Sequence, residues 1–426
     1  MLDIKFIRDN KDLVQAGASK KHINFNVDEL LSVDDTRRAL TASIDEKKAR
    51  QNLASTEITQ ATSEVERNRL ILEMKSLKEG LKIEEDQLTE VLKEWQRLMV
   101  AVPNIPDMTV PEGESDEQNV EVRTWGDEIK GAPKDFTPKS YIDLMYDHDM
   151  LDLERGAKVS GFRGYFLKND AVTLNFAIWQ YAMNKLMAKG FEPMIVPSLV
   201  RRETLMGTGY IPQGEDDLYK TQDGDYLAGT GEVATMSYYS DEIVEKSMFP
   251  KKILAFSPCF RREAGSHGKN ARGLYRVHEF FKLEQVVLCE ADHQKSVELH
   301  EEITANVEEM LQELGIPYHV VLNCGGDLGL GQVKKYDIEA WIPSEQKYGE
   351  THSASYFHDF QTRRLNIRYR DADGKLRFAH SLNNTAFATP RLLISIIENY
   401  QQADGTIKIP EVLRPYMQGK EIISKS

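Results

Sequence analysis

The amino-acid sequence predicts an α+β fold, in which an N-terminal antiparallel two-helix coiled-coil arm precedes a mainly antiparallel β-sheet flanked by helices. Residues 1–102 contain no proline and only two glycines, which favours long helices. Residues 103–120 contain the first prolines together with acidic and polar residues, as is typical of a linker. Beyond residue 120, short apolar stretches separated by turn residues predict strands. We therefore expect an arm over residues 1–102, a linker over 103–120 and a sheet domain over 121–426.

The two helical segments of the arm carry coiled-coil patterns of different strength. In the second segment, apolar residues recur in steps of four and three from Leu70 to Leu98, with one break at Glu84. The first keeps this register from Leu30 to Val65 but places polar residues within the seam. The polar stretch at 59–68 predicts the reversal, and about thirty residues per helix would span roughly 45 Å. Such an arm could dimerise or could contact another molecule.

The sheet domain shows a clear order of elements. The segment "TLNFAIWQYAMNKLMAKG" predicts a helix that ends at Gly190, and its successor "FEPMIVPSLV" predicts an edge or kinked strand because of its prolines. An amphipathic helix is predicted over "ADHQKSVELHEEITANVEEMLQELG". The remaining predicted strands are "KKILAFSPCF", "FFKLEQVVLC", "YHVVLN", "YDIEAWIP" and "LNIRYR".

Composition narrows the class of protein. The 426 residues are 41% hydrophobic, but no apolar run approaches the length of a membrane span, and the N-terminus is charged, so we expect a cytoplasmic protein. The net charge of −14 argues against a surface covered in cations for nucleic acid, although it permits a local basic strip. Cys259, Cys289 and Cys324 lie far apart, which predicts buried free thiols and no zinc site.

Residues 259–287, "CFRREAGSHGKNARGLYRVHEFFKLEQVV", place many cations and several glutamates between two predicted strands. Buried charges are costly unless they are paired or meet a ligand of opposite charge. Alternation predicts one shared surface for Arg261, Glu263, Phe280, Lys282 and Glu284. Arginine can bind phosphate or carboxylate, an aromatic ring can stack on a base, and a glutamate can accept an ammonium group. The surface could therefore bind a nucleotide and an amino acid, or it could be a solvated network of ion pairs.

The same stretch resembles motif 2 of the class II aminoacyl-tRNA synthetases, and specifically that of the seryl-tRNA synthetases. The resemblance extends to the arm, the linker, a motif 1-like "KGFEPMIVPSLV", the "GTGE" loop, "YDIEAWIP" and a motif 3-like "LNNTAFATPRLLISIIENYQ". It implies a class II catalytic domain that activates L-serine with Mg·ATP to seryl-adenylate and transfers serine to the 3′ end of tRNA(Ser). It further implies a homodimer formed through motif 1, no membrane partner, and tRNA(Sec) as a further candidate substrate.

The resemblance also implies roles for residues at matching positions. The catalytic residues would be Arg261, Glu284 and Arg391. The serine-binding residues would be Thr230, Gly231, Glu232, Arg261, Glu284 and Thr385. The ATP-binding residues would be Arg261, Arg262, Glu263, Arg276, Val277, Phe280, Glu350, Thr351, His352, Ser353 and Arg391. Glu350 and Ser353 would also bind the Mg²⁺ that accompanies ATP. The arm would contact tRNA through a basic strip formed by Arg37, Arg38, Lys47, Lys48 and Arg50, although these five could equally form a solvated face.

The chain departs from the family pattern in three places. Its motif 3 reads "NNTAFATPR" where "NGSGLAVGR" is usual, Gly349 stands where an arginine is common, and His352 replaces a usual serine. Specificity, and the rejection of threonine in particular, therefore stays open. Two other functions also remain possible: a synthetase-like ligase that loads an amino acid onto a carrier protein, and a non-catalytic tRNA-binding coiled-coil protein. The phosphate-loop-like "GGDLGLGQ" precedes a predicted strand, which excludes a dinucleotide-binding turn.

Overall fold

The computed structural model describes residues 1–130, 135–264 and 272–425. The chain forms two compact units, one made of Met1–Ser19 with Ile23–Pro103 and the other of Lys20–His22 with Asn104–Ser426. The predicted strand connection at 264–274 falls partly outside the described residues. Within the described part of the chain, no helix combines the length and the apolar character needed to cross a membrane.

The helices have the following bounds: α1 Ile4–Asp9, α2 Lys11–Lys20, α3 Val27–Gln60, α4 Glu64–Ala101, α5 Asp127–Lys130, α6 Tyr141–Asp147, α7 Leu153–Ser160, α8 Asp170–Ala188, α9 Arg202–Thr208, α10 Glu232–Ser237, α11 His293–Glu313, α12 Phe360–Arg364 and α13 Arg391–Asn399. The strands have the following bounds: β1 Val120–Trp125, β2 Leu151–Asp152, β3 Phe166–Leu167, β4 Glu192–Ile195, β5 Leu199–Val200, β6 Tyr219–Lys220, β7 Tyr226–Leu227, β8 Ile243–Val244, β9 Lys251–Phe260, β10 Glu279–Cys289, β11 Tyr318–Leu322, β12 Lys334–Ile342, β13 Lys347–His358, β14 Arg368–Arg370, β15 Leu376–Phe378, β16 His380–Thr389, β17 Ile407–Lys408 and β18 Ile422–Ile423.

Helices α3 and α4 form the antiparallel pair that the sequence predicts. Residues 61–63 reverse the chain, and the Ser63 hydroxyl caps α4 by accepting from the backbone N–H of Glu66 at 3.2 Å. At 1.5 Å per residue, the two helices are about 51 and 57 Å long. The seam expected to run to Val65 in fact ends before the turn, because Val65 lies in α4 and is 82% exposed.

Polar residues within the seam of the arm satisfy one another. Glu84, which breaks the apolar pattern of α4, forms an ion pair with Lys47 at 2.8 Å and accepts a hydrogen bond from Ser43 at 3.0 Å. Leu70, Leu81 and Leu98 are buried on the same face of α4. The polar residues in the seam of α3 are thus compatible with helix pairing, because Lys47 of α3 forms an ion pair with Glu84 of α4.

The main sheet lies in the second unit and has eight strands in the order β1-β11-β12-β13-β16-β10-β9-β4. Its neighbouring strands are antiparallel except for β4 and β9, which run parallel. This confirms the predicted mainly antiparallel sheet. Strand β4 comes from the motif 1-like segment and lies at the edge of the sheet, as its prolines predict.

Helices α8, α11 and α13 cover the sheet and share its apolar core. Ile178, Ile303 and Ile396, one from each helix, are buried in the same cluster as the sheet residues. The amphipathic pattern therefore predicts α11 correctly, and Asp292 caps it by accepting from the backbone N–H of Lys295 at 2.8 Å. The same packing anchors the strands whose other face forms the candidate site.

The structure also describes the three cysteines and the segment 103–120. The three cysteines are buried and free. Residues within the stretch 103–120 pack in the second unit: the Asn104 side chain donates to Phe357 O at 2.8 Å, and Asp107 accepts from the Tyr356 hydroxyl at 2.7 Å. This segment is therefore held against the sheet domain by specific hydrogen bonds.

Candidate active site

Strands β9 and β10 bring the charged residues of the motif 2-like stretch together. They pair antiparallel, with Phe280 opposite Cys259 and Glu284 opposite Ala255. Arg261 directly follows β9, whereas Phe280, Lys282 and Glu284 alternate along β10 and point to one face. On the other side of β10, Glu284 pairs with Thr385 of β16 at a bulge. The motif 2-like and motif 3-like segments are therefore neighbours in the sheet.

This face of the sheet forms a cavity of about 460 Å³. Most of the residues that the resemblance assigned to serine and ATP line it: Thr230, Glu232, Arg261, Glu263, Arg276, Val277, Phe280, Glu284, Glu350, Thr351, Ser353, Thr385 and Arg391. They come from β10, β13 and β16, from the first residues of α10 and α13, and from the connections between β7 and α10 and between β9 and β10. The surface is thus a concave, charged site and not an open sheet face covered by ion pairs.

One end of the cavity contains two buried carboxylates. Glu232 is 3% exposed and accepts from Gln361 Nε2 at 2.6 Å and from the Tyr210 hydroxyl at 2.8 Å. Glu284 is 2% exposed and lies 2.5 Å from the Lys282 ammonium. Burial raises the pKa of both carboxylates, an effect that Gln361 opposes at Glu232 and Lys282 opposes at Glu284. We call this part of the cavity the carboxylate end.

The other end contains three arginines and two aromatic rings. The Arg261 guanidinium lies 5.3 Å from the centre of the Phe280 ring, and its Nε donates to Gly229 O at 3.3 Å. Arg391 donates to Tyr275 O at 3.0 Å, and its guanidinium lies over the Tyr275 ring at 4.6 Å. We call this part the arginine end.

Carboxylates of the protein pair with two of these arginines. Arg276 donates to Glu263 at 2.9 Å, and Arg391 lies 3.3 Å from the Glu350 carboxylate. Glu263 has a positive φ of 55°, so its backbone turns sharply just after β9. Each of these ion pairs can exchange a carboxylate for a phosphate group of a ligand, since an arginine fork accommodates both.

The oxygen atoms of Glu350 and Ser353 fit a hard cation. Burial raises the pKa of Glu350, but the charges of Arg391 and Lys335 outweigh this and hold it below its usual range, so the group is ionised. Asp337, opposite Ser353 in the sheet, has its pKa raised to about 6 by burial. The residues that the structure describes contain no group of three or more His, Cys, Asp or Glu side chains placed to hold a metal ion.

Three of the assigned residues do not line the cavity. Arg262 is directed toward the loop before β6 and donates to Asp216 O at 3.0 Å. His352 is buried, contacts Thr351 Oγ1 through Nδ1 at 2.8 Å, and packs against Phe387. Gly231 immediately precedes α10, and its backbone lies near Ser257. The geometry does not support direct ATP contacts for Arg262 and His352 or a direct serine contact for Gly231.

Most of the arm's basic strip is paired within the arm. Lys48 pairs with Glu85 at 2.8 Å, Arg50 with Glu73 at 2.8 Å, and Arg37 with Asp34 at 2.8 Å, in addition to the Lys47–Glu84 pair. Arg38 is exposed and forms no ion pair with any described residue. The strip is therefore largely a set of intramolecular ion pairs in which Arg38 differs from the other four.

Sequence reasoning gave no site role to several residues that shape the carboxylate end. Alternation placed Lys282 on the same face as Glu284, two positions later, but no role in the site was assigned to it. Tyr210, Gln361 and Asn383 carry no such signal, because they reach Glu232 or the cavity from distant loops, helices and strands. Only the fold brings these donors to the carboxylates.

Comparison with known proteins agrees with this architecture. A family profile described as "tRNA synthetase class II core domain (G, H, P, S and T)" matches residues 218–400, and one described as "Seryl-tRNA synthetase N-terminal domain" matches residues 1–106. A serine–tRNA ligase of Deinococcus radiodurans is 44% identical over 100% of this chain and 99% of its own length. A serine–tRNA ligase of Treponema denticola is 42% identical over 98% of each chain.

The fold of this chain also matches the folds of solved seryl-tRNA synthetase structures. The crystal structure of seryl-tRNA synthetase from Pyrococcus horikoshii complexed with ATP matches with a TM-score of 0.92 and 37% identity, covering 100% of both chains. The cytoplasmic serine–tRNA ligase of Naegleria fowleri, in complex with AMP, matches with a TM-score of 0.88 and 30% identity over 100% of this chain and 99% of its own. The chain therefore belongs to the seryl-tRNA synthetase family of class II aminoacyl-tRNA synthetases.

Proposed function

We propose that this protein activates L-serine with ATP to form seryl-adenylate and then transfers the seryl group to the 3′ end of tRNA(Ser). The observation that carries the proposal is the presence, in one cavity, of a carboxylate end and of an arginine end that includes Arg261. The ammonium group of a small amino acid complements the carboxylate end, and the phosphates of a nucleoside triphosphate complement the arginine end. The full-length similarity to serine–tRNA ligases supports this proposal over the loading of a carrier protein.

At the carboxylate end, charge balance favours an amino acid with a free ammonium group. When both are ionised, Glu232 and Glu284 carry two negative charges against the single positive charge of Lys282. The ammonium group of serine would neutralise the remaining charge. Thr385 is 7% exposed, lines the cavity and lies opposite Glu284 in the sheet, so its hydroxyl can pair with the serine hydroxyl. Alanine and glycine lack this hydroxyl and would leave Thr385 unpaired, which disfavours their binding.

At the arginine end, the reaction needs positioning and charge stabilisation, with no side-chain nucleophile. The serine carboxylate oxygen attacks the α-phosphorus of ATP, a carboxyl–phosphate bond forms, and pyrophosphate leaves with the bonding electron pair. Arg261 holds both the attacking carboxylate and the α-phosphate and stabilises the charge that develops between them. Arg391 holds the γ-phosphate, and Arg276 supports the triphosphate. Phe280 stacks on adenine beside Val277, while Glu263 faces its edge.

Mg²⁺ bound with ATP would neutralise charge on the phosphates and polarise them, and Glu350 and Ser353 are the residues that would hold it. Thr351 also lines the cavity beside these two residues. The ionised state of Glu350 favours this role.

The remaining proposals concern the whole chain. The arm, residues 1–102, would recognise the shape and backbone of tRNA(Ser). A further substrate would be tRNA(Sec). Residues 103–120 would connect the arm to the catalytic domain at 121–426. The protein would act as a homodimer through the motif 1-like region. Its buried free thiols fit the reducing cytoplasm.

The test is the charging of unfractionated tRNA with radiolabelled serine by the purified full-length chain. We expect ATP-dependent label on tRNA, and none on tRNA whose 3′ ribose has been oxidised with periodate. Label that appears on a carrier protein and not on tRNA would support the rival ligase, and no label from a folded protein would contradict the proposal.

A further inference from the structure

Lys21 is a buried cation outside the site described above. It is 3% exposed, and its Nζ donates to Gly329 O at 3.0 Å, Leu330 O at 3.0 Å and Gln332 O at 2.5 Å. It forms no ion pair with any residue that the structure describes, and burial lowers its pKa well below the usual value. A buried ammonium group is costly, so its three donors and three carbonyl acceptors indicate a specific structural task.

The three carbonyls belong to one short segment, residues 329–332, which we call the 329–332 loop. Asn104 holds the same loop from another direction: its backbone N–H donates to Leu330 O at 2.9 Å and its side chain donates to Gly331 O at 3.0 Å. Gly331 is closely packed as well, because a Cβ there would lie 2.6 Å from the Phe360 ring. The loop is thus fixed by contacts to its main chain, independently of most of its side chains.

The 329–332 loop lines the cavity, and its contacts connect it to the carboxylate end. Gln332 Nε2 donates to Ser355 Oγ at 2.8 Å, and Ser355 pairs in the sheet with Asn383. Asn383 also lines the cavity, and its side chain opposes the rise in the pKa of Glu232 that burial causes. A displacement of this loop would therefore change the wall of the part of the cavity that binds the amino acid.

We propose that Lys21 is a positioning residue that holds the 329–332 loop as a wall of the carboxylate end and so limits the size of the amino acid that the site accepts. The inference rests on the proposed function for its substrate, serine, but the holding of the loop does not depend on it. With the loop fixed, the extra methyl group of threonine is excluded by contact. With the loop released, serine binds less tightly and threonine gains access.

The test compares Lys21→Met with the wild-type protein in two measurements. Methionine keeps the length of the side chain and removes all three donors. We expect amide hydrogen exchange across residues 326–334 to accelerate by at least about tenfold. In ATP–pyrophosphate exchange we expect the KM for serine to rise about tenfold while the KM for ATP and kcat stay within about twofold, with a smaller preference for serine over threonine. Lys20→Met is the matched control, because the side chain of the neighbouring Lys20 pairs with Glu112 at 3.4 Å.

Asn104→Ala provides a second, independent variant in case Lys21→Met does not fold. It should shift hydrogen exchange and the KM for serine in the same direction. Unchanged exchange across 326–334 in a folded Lys21→Met protein would overturn the proposal, as would a loss confined to kcat. A wild-type protein inactive with serine would instead overturn the proposed function, and hydrogen exchange would still decide whether Lys21 holds the loop.

Discussion

The Glu284 carboxylate is buried in the sheet, and its neighbours determine which groups it can bind. The Lys282 ammonium lies 2.5 Å from it, and Thr385 lies opposite it on the neighbouring strand β16, so polar groups adjoin this carboxylate within the sheet. Buried ion pairs contribute little net stability, which leaves function as the reason for keeping this one. The second carboxylate, Glu232, is oriented by Gln361 and Tyr210 and makes the end of the cavity acidic.

The first prediction follows from this charge. Glu284→Gln should raise the KM for serine about a hundredfold, because the neutral amide cannot form an ion pair with the ammonium group of serine or with Lys282. The KM for ATP should change little. Steady-state ATP–pyrophosphate exchange measures both values. Glu279→Gln is the control, since Glu279 is exposed at the start of the same strand; an equal effect in both variants would show that Glu284 has no special role.

The second prediction concerns pH and a buried histidine. His300 is 1% exposed, its Nε2 contacts Ala354 O at 3.0 Å, and burial lowers its pKa to about 4. In the unfolded chain the group takes up a proton below its usual pKa of 6.5. The stability from the neutral form is therefore complete above pH 6.5 and is lost as pH falls toward 4. At pH 5 this histidine alone should cost about 2 kcal/mol of the free energy of unfolding.

Chemical denaturation at pH 7.5 and pH 5.0 checks this sign and size. His300→Gln should lose about 2 kcal/mol less than the wild-type protein between the two pH values. His22→Asn is the control, since His22 is exposed. An identical loss in wild type and His300→Gln would contradict the assignment.

At the scale of the elements, patterns that depend on local sequence were predictable. The arm's two helices, their reversal within 59–68, the edge position of β4 and helix α11 all follow from period, proline and capping residues. Alternation along β10 also placed Phe280, Lys282 and Glu284 on one face. The predicted seam of the first helix extends too far along the chain, to Val65, because the heptad register continues through residues 61–63, which form the turn.

Contacts between distant segments could not be read from the sequence. Tyr210 and Gln361 lie 22 and 129 residues from Glu232 and carry no motif that connects them to it. Residues 325–332 resembled a phosphate loop by composition. In the structure, carbonyls of the 329–332 loop within this stretch accept from Lys21, which lies 308 residues from Gly329. Such contacts depend on how the strands are ordered, and periodicity alone does not specify that order.

The third prediction belongs to the arm. Arg38 is the cation of the basic strip without an intramolecular ion pair among the described residues, so it is the one available to a tRNA phosphate. Arg38→Ala should raise the KM for tRNA about fivefold and reduce the slope of log KM against log salt by about 1. Exchange without tRNA should be unchanged. Lys48→Ala, which removes a cation already paired with Glu85, should have a smaller effect; the reverse order would contradict this interpretation.

At the scale of the whole molecule, the fourth prediction concerns self-association. Ile195 is 85% exposed on β4, and Phe176, at 62% exposed, is another large apolar side chain left in solvent. Exposed apolar residues beside a sheet edge favour a protein interface. The wild-type protein should have twice the chain mass of 48.7 kDa in light scattering, and Ile195→Asp should shift it toward one chain. Met108→Asp is the control, since Met108 is 97% exposed in the segment before β1; a monomeric wild type would contradict the prediction.

The central claim for the whole molecule is that one cavity activates serine with ATP. The most direct measurement is ATP–pyrophosphate exchange by the full-length protein with Mg²⁺ and without tRNA, comparing serine, threonine, alanine and glycine. We expect exchange with serine and at least about a hundredfold lower kcat/KM for alanine and glycine, because both lack the hydroxyl that would pair with Thr385. Equal exchange with alanine, or no exchange with any of the four by a folded protein, would contradict it.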